Sequence, residues 1–257
     1  MGRGFGALII GDEIISGKRE DKHFRQVVNI LAARGLSLSW CQYLGDDPAR
    51  ITAALRTSMA SEDIIFCFGG IGATPDDHTR QCAAAAAGVA IARHAGAVSE
   101  IEAQYGERAY PKRVLMADFP AGAELIPNPV NRVAGFSIGN HHFMPGFPEM
   151  AWPMLEWVLD HRYAHLHHLQ VHAEQSILVF DAGESQLLDL MNDIVSRFPQ
   201  AKLFCLPQLD KRRTIELGLK GEPAHVSLAM TEICGYITNA GYEWHQTNPG
   251  AQKLTLP

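Results

Sequence analysis

The feature that most constrains the fold is a repeated alternation of short apolar runs with helical patterns. Residues 64–68 are apolar without interruption, as expected of a strand that is buried on both faces. A similar run covers 5–10, and apolar residues alternate with polar ones at 36–40, which predicts a further strand. A helical pattern follows each of these strands. Such alternation predicts an α/β fold, in which a parallel sheet has helices on both faces.

Capping residues and apolar spacing set the expected helix boundaries. Asp21 is predicted to cap a helix that ends near residue 34, just before Gly35. The expected buried face of that helix comprises Phe24, Val27, Val28 and Leu31. Asp47 followed by Pro48 predicts the start of the next helix. A last helix over 148–162 closes this part of the chain.

The pattern changes after residue 162. Residues 163–172 are rich in histidine and lack periodicity, so we expect an exposed linker there rather than a metal site. Residues 173–257 predict strands at 176–180, 201–206 and 214–220 with two helices, which is a small α+β domain. The expected organisation is therefore a large domain over 1–162 and a small domain over 173–257.

Composition argues against nucleic-acid and membrane partners. The net charge is −6, whereas nucleic-acid-binding proteins usually carry a clustered basic surface. The longest stretch of low polarity, residues 82–92, is too short to span a bilayer. The five cysteines form no CxxC pair, which is typical of free thiols in a reducing cytoplasm. We therefore expect a cytoplasmic protein with a small-molecule ligand.

The strongest candidate site is the glycine-rich run 69–79, which follows a buried strand and precedes a helix. Gly69, Gly70 and Gly72 would let a ligand approach the backbone, and the free N–H groups of a helix N-terminus bind anions. Thr74 and Thr79 would add hydroxyl donors. This run predicts a phosphate- or nucleotide-binding turn.

Two acidic residues in the same run point to a metal ion. Asp76 and Asp77 would repel a bare phosphate, so a bound phosphate would need a divalent cation between them. The alternative interpretation is a tight turn in which Asp76 only caps the following helix.

Further acidic loops follow the first and second strands. Gly11, Asp12 and Glu13 follow the first strand, and Asp46 and Asp47 follow the second. Ligands of open α/β sheets bind at the carboxyl ends of the strands, so these loops should converge with the glycine-rich turn. Capping is sufficient to explain Asp47, but it does not explain Asp46. Carboxylates from two loops could hold Mg²⁺ against a pyrophosphate and orient a water molecule.

Three runs together, 11–17, 69–79 and 145–150, resemble those of the molybdopterin-binding (MoaB/Mog) fold family. They are most similar to the version found at the N-terminus of competence-damage-inducible (CinA) proteins. The resemblance covers about residues 4–160, and the module after 172 is similar to that family's small second domain. It implies a three-layer α/β/α sandwich with a mostly parallel sheet, a homo-oligomer, and a pterin or nucleotide diphosphate ligand.

The resemblance also implies candidate activities. The preferred one is Mg²⁺-dependent hydrolysis of a pyrophosphate such as that of ADP-ribose or FAD. Asp46 and Asp77 would then be catalytic and, with Asp76, would hold the metal. Gly146 and Glu149 of the third run would help to form the ligand pocket.

Two alternatives remain open. One is adenylation of molybdopterin in molybdenum cofactor biosynthesis, which would use the same site. The other is a non-catalytic binding or scaffold protein. The sequence departs from the family pattern at Ala73, where a proline is usual, and at His23, where an asparagine is usual. If the protein is a non-catalytic binding or scaffold protein, these two departures would mark lost activity.

Overall fold

The computed structural model describes residues 3–169, 173–209 and 212–247. The chain divides into two compact units, Met1–His167 and His168–Pro257. In the segment predicted to be a linker, Tyr163 is buried and Ala164–Leu166 forms a 3-10 turn, while 170–172 lie outside the described residues. The exact extent of a linker therefore stays a prediction.

The described residues of the first unit form fourteen helices and strands, joined in part by 3-10 turns at Gly106–Ala109 and Arg113–Ala117. In chain order they are β1 (Phe5–Ile10), α1 (Asp12–Ile15), α2 (His23–Ala32), β2 (Leu38–Leu44), α3 (Pro48–Met59), β3 (Ile64–Phe68), α4 (Thr79–Ala87), β4 (Ile91–Arg93), α5 (Ala95–Tyr105), β5 (Asp118–Pro120), β6 (Glu124–Ile126), β7 (Gly135–Ile138), β8 (His141–Met144) and α6 (Pro148–Arg162).

A six-stranded sheet in the order β2-β1-β3-β8-β7-β6 forms the centre of this unit. The pairs β1–β2, β1–β3 and β3–β8 are parallel, whereas β7 and β6 add to the edge in antiparallel fashion. The parallel register places Ile10 opposite Leu44, and Phe68 opposite Met144. The carboxyl ends of four strands therefore meet at one edge of the sheet.

Each face of this sheet has its own hydrophobic core. Leu8 and Ile10 of β1 share a core with Ile51 and Leu55 of α3. The alternate residues of β1, including Ile9, face the opposite core with α2 and α6. Burial of one such aliphatic side chain contributes roughly 1.5–3 kcal/mol. The predicted three-layer α/β/α sandwich with a mostly parallel sheet is thus confirmed.

The predicted buried face of α2 is wrong in part. Phe24 and Val28 are exposed, at 44% and 38%, and the buried residues are His23, Val27, Ile30 and Leu31. Positions i, i+4, i+7 and i+8 form one helical stripe, and His23 begins it because it packs on Phe68. Asp21 does accept hydrogen bonds from the first N–H groups of the helix, those of His23 and Phe24.

Strand β2 begins and ends later than its prediction of 36–40. Residues 41–44 pair with β1 in parallel register although Gln42 and Tyr43 are polar. Gln42 and Tyr43 lie on an edge strand, so their side chains remain exposed and alternation alone does not locate the strand's end. Helix α5, with only Ala97 and Ile101 buried, was not predicted.

The second unit is a small α+β domain, as predicted. It contains β9 (Ala173–Phe180), α7 (Glu184–Arg197), β10 (Ala201–Leu209), β11 (Arg213–Gly221), α8 (Pro223–Asn239) and β12 (Trp244–Gln246). The antiparallel sheet has the order β10-β11-β9-β12, and both helices pack in its single core. Strand β12 was not predicted. None of the helices in the described ranges has the length and apolar character that a membrane span requires.

Candidate functional site

A small cavity lies where the loops after β1, β2, β3 and β8 meet, and we call it the central cavity. Its volume is about 150 Å³. It is lined by Ile10, Gly11, Glu13, Arg19, Asp46, Gly69, Gly70, Asp76, Asp77, Gly146 and Phe147. Backbone hydrogen bonds hold the loops together, from Gly11 N–H to Leu44 O and from Gly69 N–H to Met144 O. The structure therefore brings residues of all three sequence motifs around one space.

Two glycines of the turn after β3 cannot be replaced without strain. Gly69 has a φ of 102°, and a Cβ there would lie 2.1 Å from the carbonyl oxygen of Ile10. Gly70 has a φ of 66°, and a Cβ there would lie 2.2 Å from Thr79 Oγ1. Only glycine combines this backbone conformation with so close an approach. The turn consequently exposes backbone, rather than side chains, to the central cavity.

Thr79 has a different position from the one predicted. Its side chain is fully buried, its hydroxyl has no hydrogen-bond partner within the described residues, and its N–H donates to Gly70 O. Thr79 does not line the central cavity, so it packs against Gly70 of the glycine turn instead of facing a ligand. No side chain caps α4, so the alternative in which Asp76 is its N-cap is wrong.

Thr74 and Gly72 determine where the Asp77 carboxylate lies. The N–H of Thr74 donates to Asp77 Oδ2 at 3.0 Å, and the Thr74 hydroxyl donates to the same oxygen. A Cβ at Gly72 would lie 2.5 Å from that oxygen, so glycine leaves the space that the carboxylate occupies. The other oxygen, Oδ1, makes no hydrogen bond with the described residues and stays available to a ligand.

Asp12 and Asp46 join the loops after β1 and β2. The N–H of Asp12 donates to Asp46 Oδ2 at 2.8 Å, and the N–H of Asp46 donates to Asp12 Oδ1 at 3.1 Å. Burial raises the pKa of Asp46, the hydrogen bond from the Asp12 N–H opposes this, and the nearby Asp12, Glu13 and Asp76 carboxylates raise the pKa further. Asp12 thus positions Asp46, which lines the central cavity, and does not itself line it.

Asp47 has the structural role predicted for it. Its side chain accepts hydrogen bonds from the N–H groups of Ala49 and Arg50 at 2.8 and 3.1 Å, and Pro48 occupies the first position of α3. This is the geometry of a helix N-cap. The adjacent acidic residues Asp46 and Asp47 therefore have separate tasks.

The central cavity is strongly acidic. Four carboxylates line it, those of Glu13, Asp46, Asp76 and Asp77, against one guanidinium, that of Arg19. Within the described ranges, no three His, Cys, Asp or Glu side chains are grouped so that they could hold a metal ion by themselves. Mg²⁺ is usually bound by one or two carboxylates together with substrate phosphates and water. The residues present therefore fit a cation that arrives with a phosphate ligand.

Two arginines at the site were missed by the sequence interpretation. Arg19 lines the central cavity, and its backbone N–H donates to the backbone carbonyl oxygen of Glu13. Arg80 is only 4% exposed and donates to the carbonyl oxygens of Gly72, Leu115 and Asp118. It ties the glycine turn to β5. The basic residues directly after the first motif could have indicated Arg19, but no local pattern marks a buried Arg80.

A second cavity of about 380 Å³ adjoins the first, and we call it the side cavity. Glu149 lines the side cavity and not the central one. His23 also lines it, stacked on Phe68 with ring centroids 4.6 Å apart. His23 Nε2 donates to Gly146 O at 3.1 Å, so the residue at the unusual family position connects α2 with the third motif. Burial lowers the pKa of His23.

These features define the class of protein: a three-layer α/β domain with a small-molecule site at the carboxyl edge of its sheet. A family model described as "Probable molybdopterin binding domain" matches residues 6–165, more than half of the chain. The chain therefore belongs to the molybdopterin-binding domain family. This confirms the resemblance that the three motifs indicated.

Individual relatives agree with this assignment. The chain is 31% identical over 196 residues to a CinA-like protein of Anaeromyxobacter dehalogenans, covering 73% of this chain and 48% of the relative. It is 33% identical over 157 residues to a CinA-like protein of Citrifermentans bemidjiense, covering 58% of this chain and 38% of the relative. The chain thus spans about half, or less, of the length of these relatives.

A solved structure agrees as well. The crystal structure of the protein CinA from Thermoplasma acidophilum superposes with a TM-score of 0.56 and 25% sequence identity. The match covers 62% of this chain and 98% of that one. The first unit therefore shares its fold with a CinA protein.

Proposed function

We propose that the first unit binds a molybdopterin- or nucleotide-type ligand with its pyrophosphate in the central cavity, and that it hydrolyses this pyrophosphate with the help of Mg²⁺. One observation carries the proposal: exposed glycine backbone and carboxylates from three loops line the same space. Backbone N–H groups suit phosphate oxygens. Carboxylates beside a phosphate suit a bridging divalent cation.

The residues of the central cavity would divide the chemistry between them. Bound Mg²⁺ would supply charge neutralisation and polarise the phosphoryl group. Asp77, positioned by Thr74, and Asp46, positioned by Asp12, would hold the cation, with Asp76 at the rim. Arg19 would contact the phosphate as a second positive charge.

Asp46 is the better candidate for the base. Its Oδ2 is fixed by the hydrogen bond from the Asp12 N–H, so the carboxylate has one defined orientation in the central cavity. It would orient a water molecule toward phosphorus and take its proton. The P–O–P bond would then break, and one phosphate would leave as a monoester.

Product analysis tests this proposal. With Mg²⁺, ADP-ribose should give AMP and ribose 5-phosphate on ion-exchange chromatography, and excess EDTA should stop the reaction. Asp46→Asn and Asp77→Asn should each lower kcat at least a hundredfold, because each removes a charge beside the phosphate. Unchanged turnover in EDTA would contradict the proposed metal.

Asp47→Asn is the matched control for Asp46→Asn. It removes a carboxylate one position along, but asparagine can still cap α3 and Asp47 does not line the central cavity. Its turnover should stay within about twofold of the unchanged protein. If both variants lose activity equally, the loss comes from the loop's structure and not from the Asp46 carboxylate.

Two other outcomes would identify the alternatives. The molybdopterin-binding family model favours a pterin ligand as a second candidate, so ATP and molybdopterin should be supplied together in a parallel reaction. Formation of an adenylated pterin would indicate adenylyl transfer at the same site. Binding of the ligands without turnover of any of them would indicate a binding protein.

A further inference from the structure

The second unit has no role in the function proposed so far. Its elements follow the order β-α-β-β-α-β, and the edges of its sheet are β10 and β12. Strand β12 has 3 residues, whereas β10 has 9 and pairs only with β11 among the described strands. A long edge strand presents a row of unpaired N–H and C=O groups to another strand. The free side of β10 is therefore the candidate interaction surface of this unit.

The backbone of β10 shows which of its groups face away from β11. Its pairing with β11 is antiparallel, and the register has no break. Ala201 N–H donates to Phe198 O outside the sheet, and Pro207 has no N–H with which to bond β11. Backbone orientation alternates along a strand, so Leu203 and Cys205 face the same way as these two residues. Among the described residues, the outward N–H and C=O groups of Leu203 and Cys205 have no further backbone partner.

A short apolar segment lies between two residues that limit pairing. Residues 203–206 carry no charge, and Leu206 is 51% exposed. Lys202 precedes the segment and Pro207 follows it. Lysine and proline are the residue types that discourage strand pairing at an exposed edge. A partner strand would therefore pair along these few residues and not along the whole of β10.

Helix α7 has one flank on the side of β10. Its opposite flank borders α8, where Arg197 forms an ion pair with Glu232. The flank toward β10 begins at Glu184, whose Oε1 lies 3.8 Å from Cys205 Sγ. The free side of β10 and this flank of α7 therefore belong to one continuous surface.

That flank of α7 is apolar. Leu188, Met191 and Val195 follow Glu184 at helical spacing, so they continue the same stripe. Leu188 and Val195 are 50% and 52% exposed, although the core-facing stripe of the same helix is buried. Neighbouring exposed apolar side chains on a helix flank are typical of a surface that another protein covers.

The combined surface is large enough for a modest interface. Strand β10 is roughly 30 Å long at about 3.3 Å per residue. Helix α7 adds about 10 Å of height on one face of the sheet. Two such surfaces in contact would bury roughly 1,000 Å² in total, which is close to the lower limit for a specific interface.

A second copy of β10 matches the open groups. If two copies run antiparallel about a two-fold axis at Phe204, Leu203 of each copy lies opposite Cys205 of the other. The two residues then exchange N–H···O bonds, and all their outward groups are paired. An axis at Cys205 would instead place Leu203 opposite Pro207, which has no N–H for the Leu203 carbonyl. The axis at Phe204 also sets the apolar flank of one α7 beside that of the other, as an isologous interface requires.

We infer that the second unit is a homodimerisation module, in which β10 pairs with β10 of a second copy and the two α7 flanks pack together. The partner is a second copy because this one surface supplies both the matching backbone groups and the matching apolar flank. The inference goes beyond the proposed function of the first unit and does not depend on it.

Sedimentation velocity of the full chain tests the association. The unchanged protein should pass from monomer to dimer across the micromolar range. Leu188→Glu and Val195→Glu should each weaken the dimer at least about tenfold, because each places like charges in the apolar contact. Leu228→Glu is the matched control, since Leu228 is 61% exposed on α8, which borders the other flank of α7, and it should change the dimer less than about twofold. A chain that stays monomeric, or equal losses in all three variants, would overturn the inference.

Disulfide trapping tests the register, in full chains that also carry Cys205→Ala. Phe204→Cys would place two thiols across the axis with Cα atoms about 4.5 Å apart, which a disulfide can bridge. Leu206→Cys is the control on the same face of the strand, because its two copies would lie about 13 Å apart along the strand, which is too far. Under mild oxidation the first variant should form a covalent dimer on a non-reducing gel and the second should not. Absent or equal cross-linking would show that the edge of β10 is not the interface, even if the chain is dimeric.

Discussion

Two buried histidines on β8 should make the first unit sensitive to acid. His142 is fully buried and is hydrogen-bonded to Ser137 Oγ at 2.8 Å and to the Tyr163 hydroxyl at 2.7 Å. His141 is 3% exposed and is hydrogen-bonded to Ser58 Oγ at 2.7 Å. Burial lowers the pKa of His141 to about 4 and that of His142 to about 3. Both histidines are therefore neutral in the folded protein near pH 7.

The direction of the pH effect follows from these lowered values. As the pH falls below the ordinary histidine pKa of 6.5, the unfolded chain takes up protons that the folded protein does not. The free energy of unfolding is thus highest above pH 6.5 and decreases as the pH falls toward 4 and then 3. Between pH 7 and pH 5 each histidine should remove about 2 kcal/mol, or about 4 kcal/mol together.

Urea titration at pH 7 and pH 5 measures this loss. Tryptophan fluorescence reports on the first unit, which contains Trp40, Trp152 and Trp157 of the chain's four tryptophans. His142→Gln should reduce the difference between the two pH values by about 2 kcal/mol, because glutamine keeps polar contacts but does not titrate. The absolute stability of the variant does not enter this difference.

An exposed histidine supplies the control. His161 lies on α6 in the same unit and is exposed to solvent, so His161→Gln removes a histidine without removing a buried one. If His142→Gln and His161→Gln behave alike, the buried histidine does not titrate as described. The reasoning would be refuted if a variant with both His141 and His142 replaced lost as much stability between pH 7 and pH 5 as the unchanged protein.

Three further predictions concern the loops and the second unit. Gly70→Ala should lower the free energy of unfolding by about 1–3 kcal/mol in urea titration, because its φ is 66° and a Cβ would overlap Thr79 Oγ1. An unchanged free energy of unfolding in Gly70→Ala would contradict the close approach of Gly70 to Thr79. Asp47→Ala should cost about 1 kcal/mol through loss of the cap on α3, whereas Asp47→Asn should cost little. A chain ending at His167 should bind ADP-ribose within about tenfold of the full chain, or ~1.4 kcal/mol, because every site residue precedes it. A larger loss in calorimetry would mean that the second unit contributes to binding.

Features encoded by neighbouring residues could be predicted from the sequence. The continuous apolar run at 64–68 identified β3, and Asp47 followed by Pro48 identified the start of α3. Parallel strands then place the glycine and acidic loops at one edge of a sheet. For this reason the motifs by themselves predict the general location of the central cavity.

Contacts between distant residues were decided only by the tertiary structure. Asp12 and Asp46 are 34 positions apart, and their reciprocal hydrogen bonds depend on the register of β1 with β2. The sequence predicted Thr79 as a ligand donor, but the packing of Gly70 against it places its hydroxyl out of reach of the central cavity. Thr74 and Thr79 were equally suitable hydroxyl donors in the sequence, and local sequence rules do not predict which of the two becomes buried.

His23 shows most clearly the difference between what local sequence predicts and what tertiary packing decides. In the sequence it is a departure from a family pattern and suggests a lost contact. In the structure it stacks on Phe68 and donates to Gly146, a residue 123 positions away. Local sequence determined the helix that His23 begins, because helix geometry depends on residues within a few positions. Its partners depend on how that helix packs across the sheet, and long-range packing is a property of the whole chain.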